Sequence, residues 1–472
     1  MSVDFVRPEV RAKQAAWKLV RDAVAGSEAV KGGDYIIPVN PHDESDENRL
    51  RNEQRVKRAY YFNATGRTLP TMVGIAFGKW PEVKLPGLDY LLRDADGSGV
   101  GLVNQAQAVV SDVLQTGRAG LLVDYPSGGR GLTVAQAEMA GFRPTVQLYP
   151  AEQIINWRSE KVGARNVLTL VVLREGYEDW GEFTLETRTQ YRVLRLIRGR
   201  YVQQVYRENP TTGTWEPYQT FAPTDGRSQP FREIPFTFVG ATNNDASPDQ
   251  PPLYDLADLN IAHLRNSADH EESLFFAGQA QVWLTGEHIN EEQIALMQKE
   301  GMYVGSRSIG IAPGGVTMLQ AQPVSALSEE MKHKVELMAQ LGARLIAPGQ
   351  ATRTATEAAS DDKTSNSVLS IVCDNVSDAY RAALRWVAQF ANAGGETDFT
   401  ISTEFSGVQF DAQQMAQALA AVQSGKLPEA DFWSYCRAIG LIAADKTDDE
   451  IRDELEAAGP TGPALDDVDE AA

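Results

Sequence analysis

An α+β fold is predicted for this 472-residue chain by three observations. Helical apolar spacing dominates as far as Thr116, and strand patterning takes over from Pro144 to Phe238. From Pro252 to Ala393 two amphipathic helices then flank a strand-forming insert, and a polar stretch leads into a third, long helix.

Pro8 to Val24 and Glu47 to Tyr61 have helical spacing, the first with proline at its start, where the missing N–H costs nothing. Both read as surface helices lining an outer face. Val100 to Thr116 is a further helix, ended by Gly117, and leads into the apolar strand Gly120 to Pro126. Strands follow at Val146 to Tyr149, Val167 to Arg174, Tyr191 to Arg198, Tyr201 to Arg207, Thr214 to Phe221 and Pro235 to Val239, an antiparallel sheet region. Asn243 to Pro252, rich in Asn, Asp, Ser and Pro, reads as a linker.

After it, Leu253, Leu256, Ala257, Ile261, Leu264, Ala268 and Phe275 keep one helix face apolar. Acidic and basic residues interrupt that stripe too often for a membrane span, so the helix should pack against protein, with neighbouring subunits as partners. Leu327, Met331, Val335, Met338, Leu341 and Leu345 form a second ladder, which Pro348 and Gly349 stop. Between the two, Gln281 to Thr285 and Ser308 to Ile311 read as short strands, Asn290 to Lys299 as a small helix, and Pro313 to Gly315 as a turn. The spacing Thr354-Ala-Thr-Glu357 fits a reciprocal helix cap, and Val368, Leu369, Val372, Val376, Tyr380, Ala383, Val387 and Phe390 carry a helix of roughly three dozen residues toward Gly394.

Composition restricts the function classes. The net charge of −20 argues against gripping nucleic acid through a basic surface, because such affinity comes from Lys and Arg displacing counterions. From Leu441 to Ala472 there are eleven acidic and two basic residues, and 459–472 reads as a disordered acidic tail. Arg188, Arg192, Arg195, Arg198, Arg200 and Arg207 fall in an acid-free stretch, read as the wet side of a hairpin about Gly199. No uncharged apolar run reaches the roughly eighteen residues a membrane span needs. Two distant cysteines, Cys373 and Cys436, give neither a disulfide framework nor a metal-ligand spacing, and no cofactor is expected.

Catalytic motifs fail one by one. Leu121-Leu-Val-Asp124 resembles the acid-ended strand of a nucleotide site, but no G-x-x-x-x-G-K-[ST] accompanies it. Asp94-Ala-Asp-Gly-Ser-Gly99 spaces oxygens like a calcium loop, yet its twelfth position is Gln105, so a polar turn capping the next helix is the simpler reading. His263 and His270 lie two helical turns apart, too far for one metal. No enzyme is indicated.

The strings that carry a family resemblance are Asp94 to Gly99, Gly120 to Pro126, Ile154-Ile-Asn-Trp-Arg158, Ala355-Thr-Glu-Ala358 and, most specifically, Pro251 to Glu271. In these the chain resembles portal proteins of tailed bacteriophages, of a type common in short-tailed phages. The resemblance implies a portal-like α+β fold: a wing over 1–252, stem helices over 253–277 and 326–347 flanking an α/β clip over 278–325, a tunnel loop over 348–363, a long wing helix over 364–395, and a wing strand with helical crown over 396–458. It further implies a head–tail connector ring, usually of twelve copies, at one capsid vertex of the virion, assembled in the host cytoplasm. Double-stranded DNA would pass through it without sequence specificity, and its partners would be the large terminase, a tail adaptor and the major capsid or scaffolding protein, with no membrane. On this reading Arg353 and Lys363 are the DNA-facing cations of the tunnel loop. Trp283, Glu287, Glu291 and Glu292 are the clip's contacts to terminase or adaptor, and Leu256, Ile261, Leu264, Phe275, Met331 and Val335 pack stem against neighbouring subunit. The alternatives are a metal-dependent enzyme acting on DNA, with Asp94, Asp96 and Asp124 as ligands, and a non-portal ring or scaffold protein.

Overall fold

The computed structural model describes residues 2–125, 142–278, 282–285, 309–312, 325–346, 367–403 and 405, with a few positions between 433 and 452. The chain divides into two units, Met1–Thr403 and Glu404–Ala472.

The first unit begins with four helices: α1 (Pro8–Ala25), α2 (Ser27–Gly32), α3 (Asp46–Arg58) and α4 (Ala64–Ala76). Proline occupies the first turn of α1, and Val10, Trp17, Val20 and Ala23 form its buried stripe. Ser45 caps α3 by accepting from the Asn48 amide, and Asn63 caps α4 by accepting from Gly66. Helix α4 carries Gly66, Pro70 and Gly74, breakers that hide it in the sequence, yet Thr65, Leu69, Met72 and Ala76 give it a buried face.

A short strand β1 (Glu82–Lys84) precedes α5 (Leu102–Thr116). Gly117 closes α5 with φ of 71°, the left-handed conformation that glycine adopts without strain. A Cβ there would lie 2.9 Å from the carbonyl oxygens of Asp249 and Gln250. Strand β2 (Arg118–Asp124) follows and is the centre of an antiparallel three-stranded sheet, between β3 (Thr145–Pro150) and β9 (Phe236–Gly240). Buried on both faces, its apolar run reads as continuous rather than alternating.

The expected antiparallel region is thus two sheets. The second has five strands in sequence order: β4 (Ile154–Val162), β5 (Arg165–Trp180), β6 (Leu185–Ile197), β7 (Arg200–Glu208) and β8 (Trp215–Phe221). Arg198 and Gly199, at φ of 51° and 71°, make the two-residue turn between β6 and β7 that matches strand twist. The arginines of this hairpin are not all on a wet face. Arg192 is paired with Asp124 and Glu175, and Arg207 lies between the rings of Tyr177 and Tyr218 at 3.9 and 4.0 Å.

Helix α6 (Tyr254–Ala277) packs on α1, α3 and α4, and on α7 (Ser325–Ile346). Between α6 and α7, β10 (Val282–Thr285) pairs in parallel with β11 (Ile309–Ala312), in the register Val282 to Ile309. Helix α8 (Val368–Ala391) packs on α5 and on the three-stranded sheet, and β12 (Asp398–Thr400) pairs antiparallel with β1. The described part of the long helix has 24 residues, and its N-cap is Ser367, which accepts from the Ser370 amide. The expected cap at Thr354 to Glu357 lies outside the described residues, as do the small helix at 290–299 and the turn at 313–315.

The segment 243–252 is no loose linker. Its Asx turns bond Asp245 to Asn243 and Ser247 to Asp245, while Asn244 reaches the Asn375 carbonyl at 2.8 Å and Arg118 donates to Ala246 at 2.8 Å. In the second unit, Thr447 and Glu450 exchange a reciprocal cap at 2.9 and 3.3 Å, and the Arg452 guanidinium lies 5.9 Å from the Trp433 ring. No described helix is long and apolar enough to cross a membrane.

Candidate functional site

The α6–α7 pair with its strand insert is where sequence and structure converge. Leu253, just before α6, and Leu256, Ala257, Ile261, Leu264 and Ala268 within it are buried, the predicted stripe short of Phe275. Ile261, Leu264 and Ala268 share a cluster with Val30, Ile36, Ala59 and Tyr61 of the helical N-terminal region. Leu256, Ile261 and Leu264 are therefore covered by their own chain, which corrects the expectation that they face a neighbouring subunit: their apolar surface is already spent. Phe275 remains 39% exposed, with the Arg58 guanidinium 4.2 Å from its ring centre, and Met331 and Val335 of α7 are half-buried. These three keep area to offer.

Polar residues on the stripe lock α6 in place, and apolar periodicity does not reveal them. Asn260, fully buried, donates to the Phe62 carbonyl at 2.7 Å. Its carbonyl oxygen accepts from the Tyr61 hydroxyl at 3.0 Å, the Thr65 amide at 3.1 Å and the Thr65 hydroxyl at 3.0 Å. It thereby caps the first turn of α4 from another helix. Ser267 accepts from the Tyr60 amide at 2.8 Å. Arg55, 6% exposed, pairs with Asp269 and with Glu272, and Arg51 pairs with Glu272 at 2.8 Å. The available signal was an Asn, a Ser and a Glu at stripe spacing among apolar residues. His263 is buried beside Phe62, with rings 5.9 Å apart, and its Nδ1 has no hydrogen-bond partner among the described residues. Burial, then the nearby Lys334, lowers its pKa.

The remaining site predictions fall largely on residues beyond the described set. Arg353, Lys363, Glu287, Glu291 and Glu292 lie outside it, and for Trp283 the backbone places it in β10 opposite Gly310.

The acids that an enzyme reading would use are engaged elsewhere. Asp94 accepts from the Gly97 and Gly99 amides at 2.8 and 2.9 Å and pairs with Arg143; Asp96 accepts from the Ser98 amide at 2.8 Å and its hydroxyl at 2.7 Å. Asp124 accepts from Arg192 at 2.9 Å and Gln203 at 3.0 Å. Burial works against the Arg192 charge, but Tyr149, Glu175 and Asp124 together raise its pKa. A second, half-buried ionic knot joins Arg21 to the buried Asp112 at 2.5 Å and to Glu152 at 3.1 Å. There burial pushes the Asp112 carboxyl up to about 6 against the pull of Arg21.

Residues 252–391 match a family described as "Domain of unknown function (DUF4055)", a span that covers α6, the insert, α7 and α8. No curated protein matches the chain. Among solved structures, a chain in the virion of a native gene transfer agent particle is similar at 14% identity and a TM-score of 0.32, covering 80% of this chain and 89% of that one. A chain in the neck of a native gene transfer agent particle, computed with C12 symmetry, is similar at 15% identity and a TM-score of 0.30, covering 86% and 97%. At these scores the likeness fixes no common fold.

Proposed function

We propose that the chain is a portal protein: a head–tail connector subunit that assembles into a ring at one capsid vertex and conducts double-stranded DNA during packaging and ejection. The observation that carries this reading is the order of elements. Two packed helices of 24 and 22 residues flank a parallel strand pair, and a further 24-residue helix follows the second of them. That is the stem, clip, stem and long-helix order implied by the Pro251 to Glu271 resemblance. A net charge of −20 on each copy suits a passage that must let a polyanion slide without sticking.

On this reading Arg353 and Lys363 meet DNA phosphates transiently in the tunnel loop, and Trp283 with Glu287, Glu291 and Glu292 meets terminase or adaptor. Phe275, Met331 and Val335 pack stem against stem. The purified chain should form rings with an axial hole and a mass near twelve times 51.7 kDa, seen by electron microscopy and mass photometry. A stable monomer whose metal-dependent activity on DNA disappears in Asp94→Asn or Asp124→Asn would overturn the reading. Combined Arg353→Ala and Lys363→Ala should leave ring formation intact and alter packaging or genome retention; normal packaging would remove the role given to that pair.

A further inference from the structure

Strands β5 and β6 outrun the rest of their sheet. Beyond the rung that joins Glu175 to Gln190 they continue alone for five more pairs, ending at Trp180 opposite Leu185. At about 3.4 Å per residue this ribbon projects roughly 17 Å past its last flanking strand. A lone two-stranded ribbon is marginally stable in water, and an apolar tip on one is costly unless something covers it. Here Trp180 is 69% exposed, Phe183 91% and Leu185 47%. Trp180 and Leu185 are direct cross-strand partners and so share a face. The ribbon is also acidic: Glu175, Glu178, Asp179, Glu182 and Glu186 stand against Arg188 alone between 175 and 189.

The complementary chemistry is present on the same chain. Residues 7–21 carry five basic groups and one acid. On α1, Arg11, Gln14, Ala15 and Lys18 are exposed at the i, i+3, i+4, i+7 spacing of one outward face. Arg11 makes no ion pair among the described residues, Lys18 pairs with Asp22 one turn on, and Ala15 is exposed between the two cations. We infer that the acidic, aromatic-tipped ribbon of one copy docks on this basic face of α1 in a second copy. Trp180 and Phe183 would stack against Arg11 and Lys18, and the ribbon carboxylates would surround them. Such a contact joins two different surfaces, the head-to-tail geometry that closes a ring. The inference rests on the ring reading above and adds the contact that would hold neighbours together away from the stem.

The test uses the full chain with a photoreactive phenylalanine at position 183. Irradiated rings should yield a cross-link to residues 7–21 of another copy, mapped by mass spectrometry. Trp180→Ser with Phe183→Ser should raise the protein concentration at which rings dissociate by at least about tenfold, as loss of an aromatic interface anchor does. Arg11→Glu with Lys18→Glu should do the same. A wild-type chain that never assembles overturns both this inference and the ring reading. Rings that form normally in the double variants, or a cross-link that reaches only a different protein or a different surface, overturn the ribbon contact alone.

Discussion

Replacing Asn260 by alanine removes four hydrogen bonds from the place where α6 meets α4. Of the groups left behind, the Tyr61 hydroxyl keeps its 2.7 Å bond to the Ala23 carbonyl, and the Thr65 hydroxyl can rotate. The Phe62 carbonyl still accepts from the Ala64 amide at 2.7 Å, so the Thr65 amide is the group left unpaired, in a site that is fully buried at both Thr65 and Asn260. A buried backbone group left unpaired costs about 1–3 kcal/mol, so the expected loss is roughly 1–3 kcal/mol. Urea unfolding monitored by circular dichroism should show the midpoint falling with little change in slope. Tyr61→Phe, which removes one of the four bonds and keeps the ring, should cost about 1 kcal/mol. Limited proteolysis should cut between 60 and 66 in the Asn260 variant before it cuts the wild type there. An Asn260→Ala protein within about 0.5 kcal/mol of wild type would refute the claim that this amide, rather than the apolar stripe, sets the placement of α6.

Asp112 has a folded pKa near 6, above its unfolded value, so its contribution to stability declines as pH rises from about 4 to about 6 and then levels; Asp112→Asn should flatten that slope in a pH series of thermal melts. For His263 the sign is opposite in origin: its folded pKa is lowered, so the stability it contributes is lost as pH falls below the unfolded value near 6.5, and His263→Phe should abolish that acid-side loss. Cys373 is buried in α8 with its thiol pushed up to about 12, so iodoacetamide should leave it unmodified in the native protein and label it only after denaturation, as read by peptide mass spectrometry.

Much of the fold was legible because amphipathic spacing reports burial directly. The apolar ladder that starts at Leu253 matches a helix over Tyr254–Ala277, and the one from Leu327 to Leu345 matches a helix over Ser325–Ile346. The two short insert strands also fall where β-branched and apolar runs placed them, although their parallel pairing needed coordinates, since register does not follow from local pattern. Helix α4 was missed because Gly66, Pro70 and Gly74 each weigh against a helix locally, while the buried face formed by Leu69, Met72 and Ala76 is a tertiary effect. Local pattern places Arg192 in solvent, because arginine usually is; its two carboxylate partners come from strands 17 and 68 residues away in sequence, beyond the reach of any window. Asn260 was invisible for the same reason, because its worth depends on the backbone of residues about 195–198 positions earlier.

The bonded turns over 243–252 carry a practical consequence for engineering. By composition, this is the stretch a designer would choose for an inserted tag or a new pair of chain ends. Yet it is stitched to α1 by Lys13 and Gln250, to β2 by Arg118, and to α8 by Asn244. Added residues here would pull on three elements at once. The hairpin turn at Arg198 and Gly199, whose residues are exposed and whose φ values suit a short loop, is the better place to open the chain.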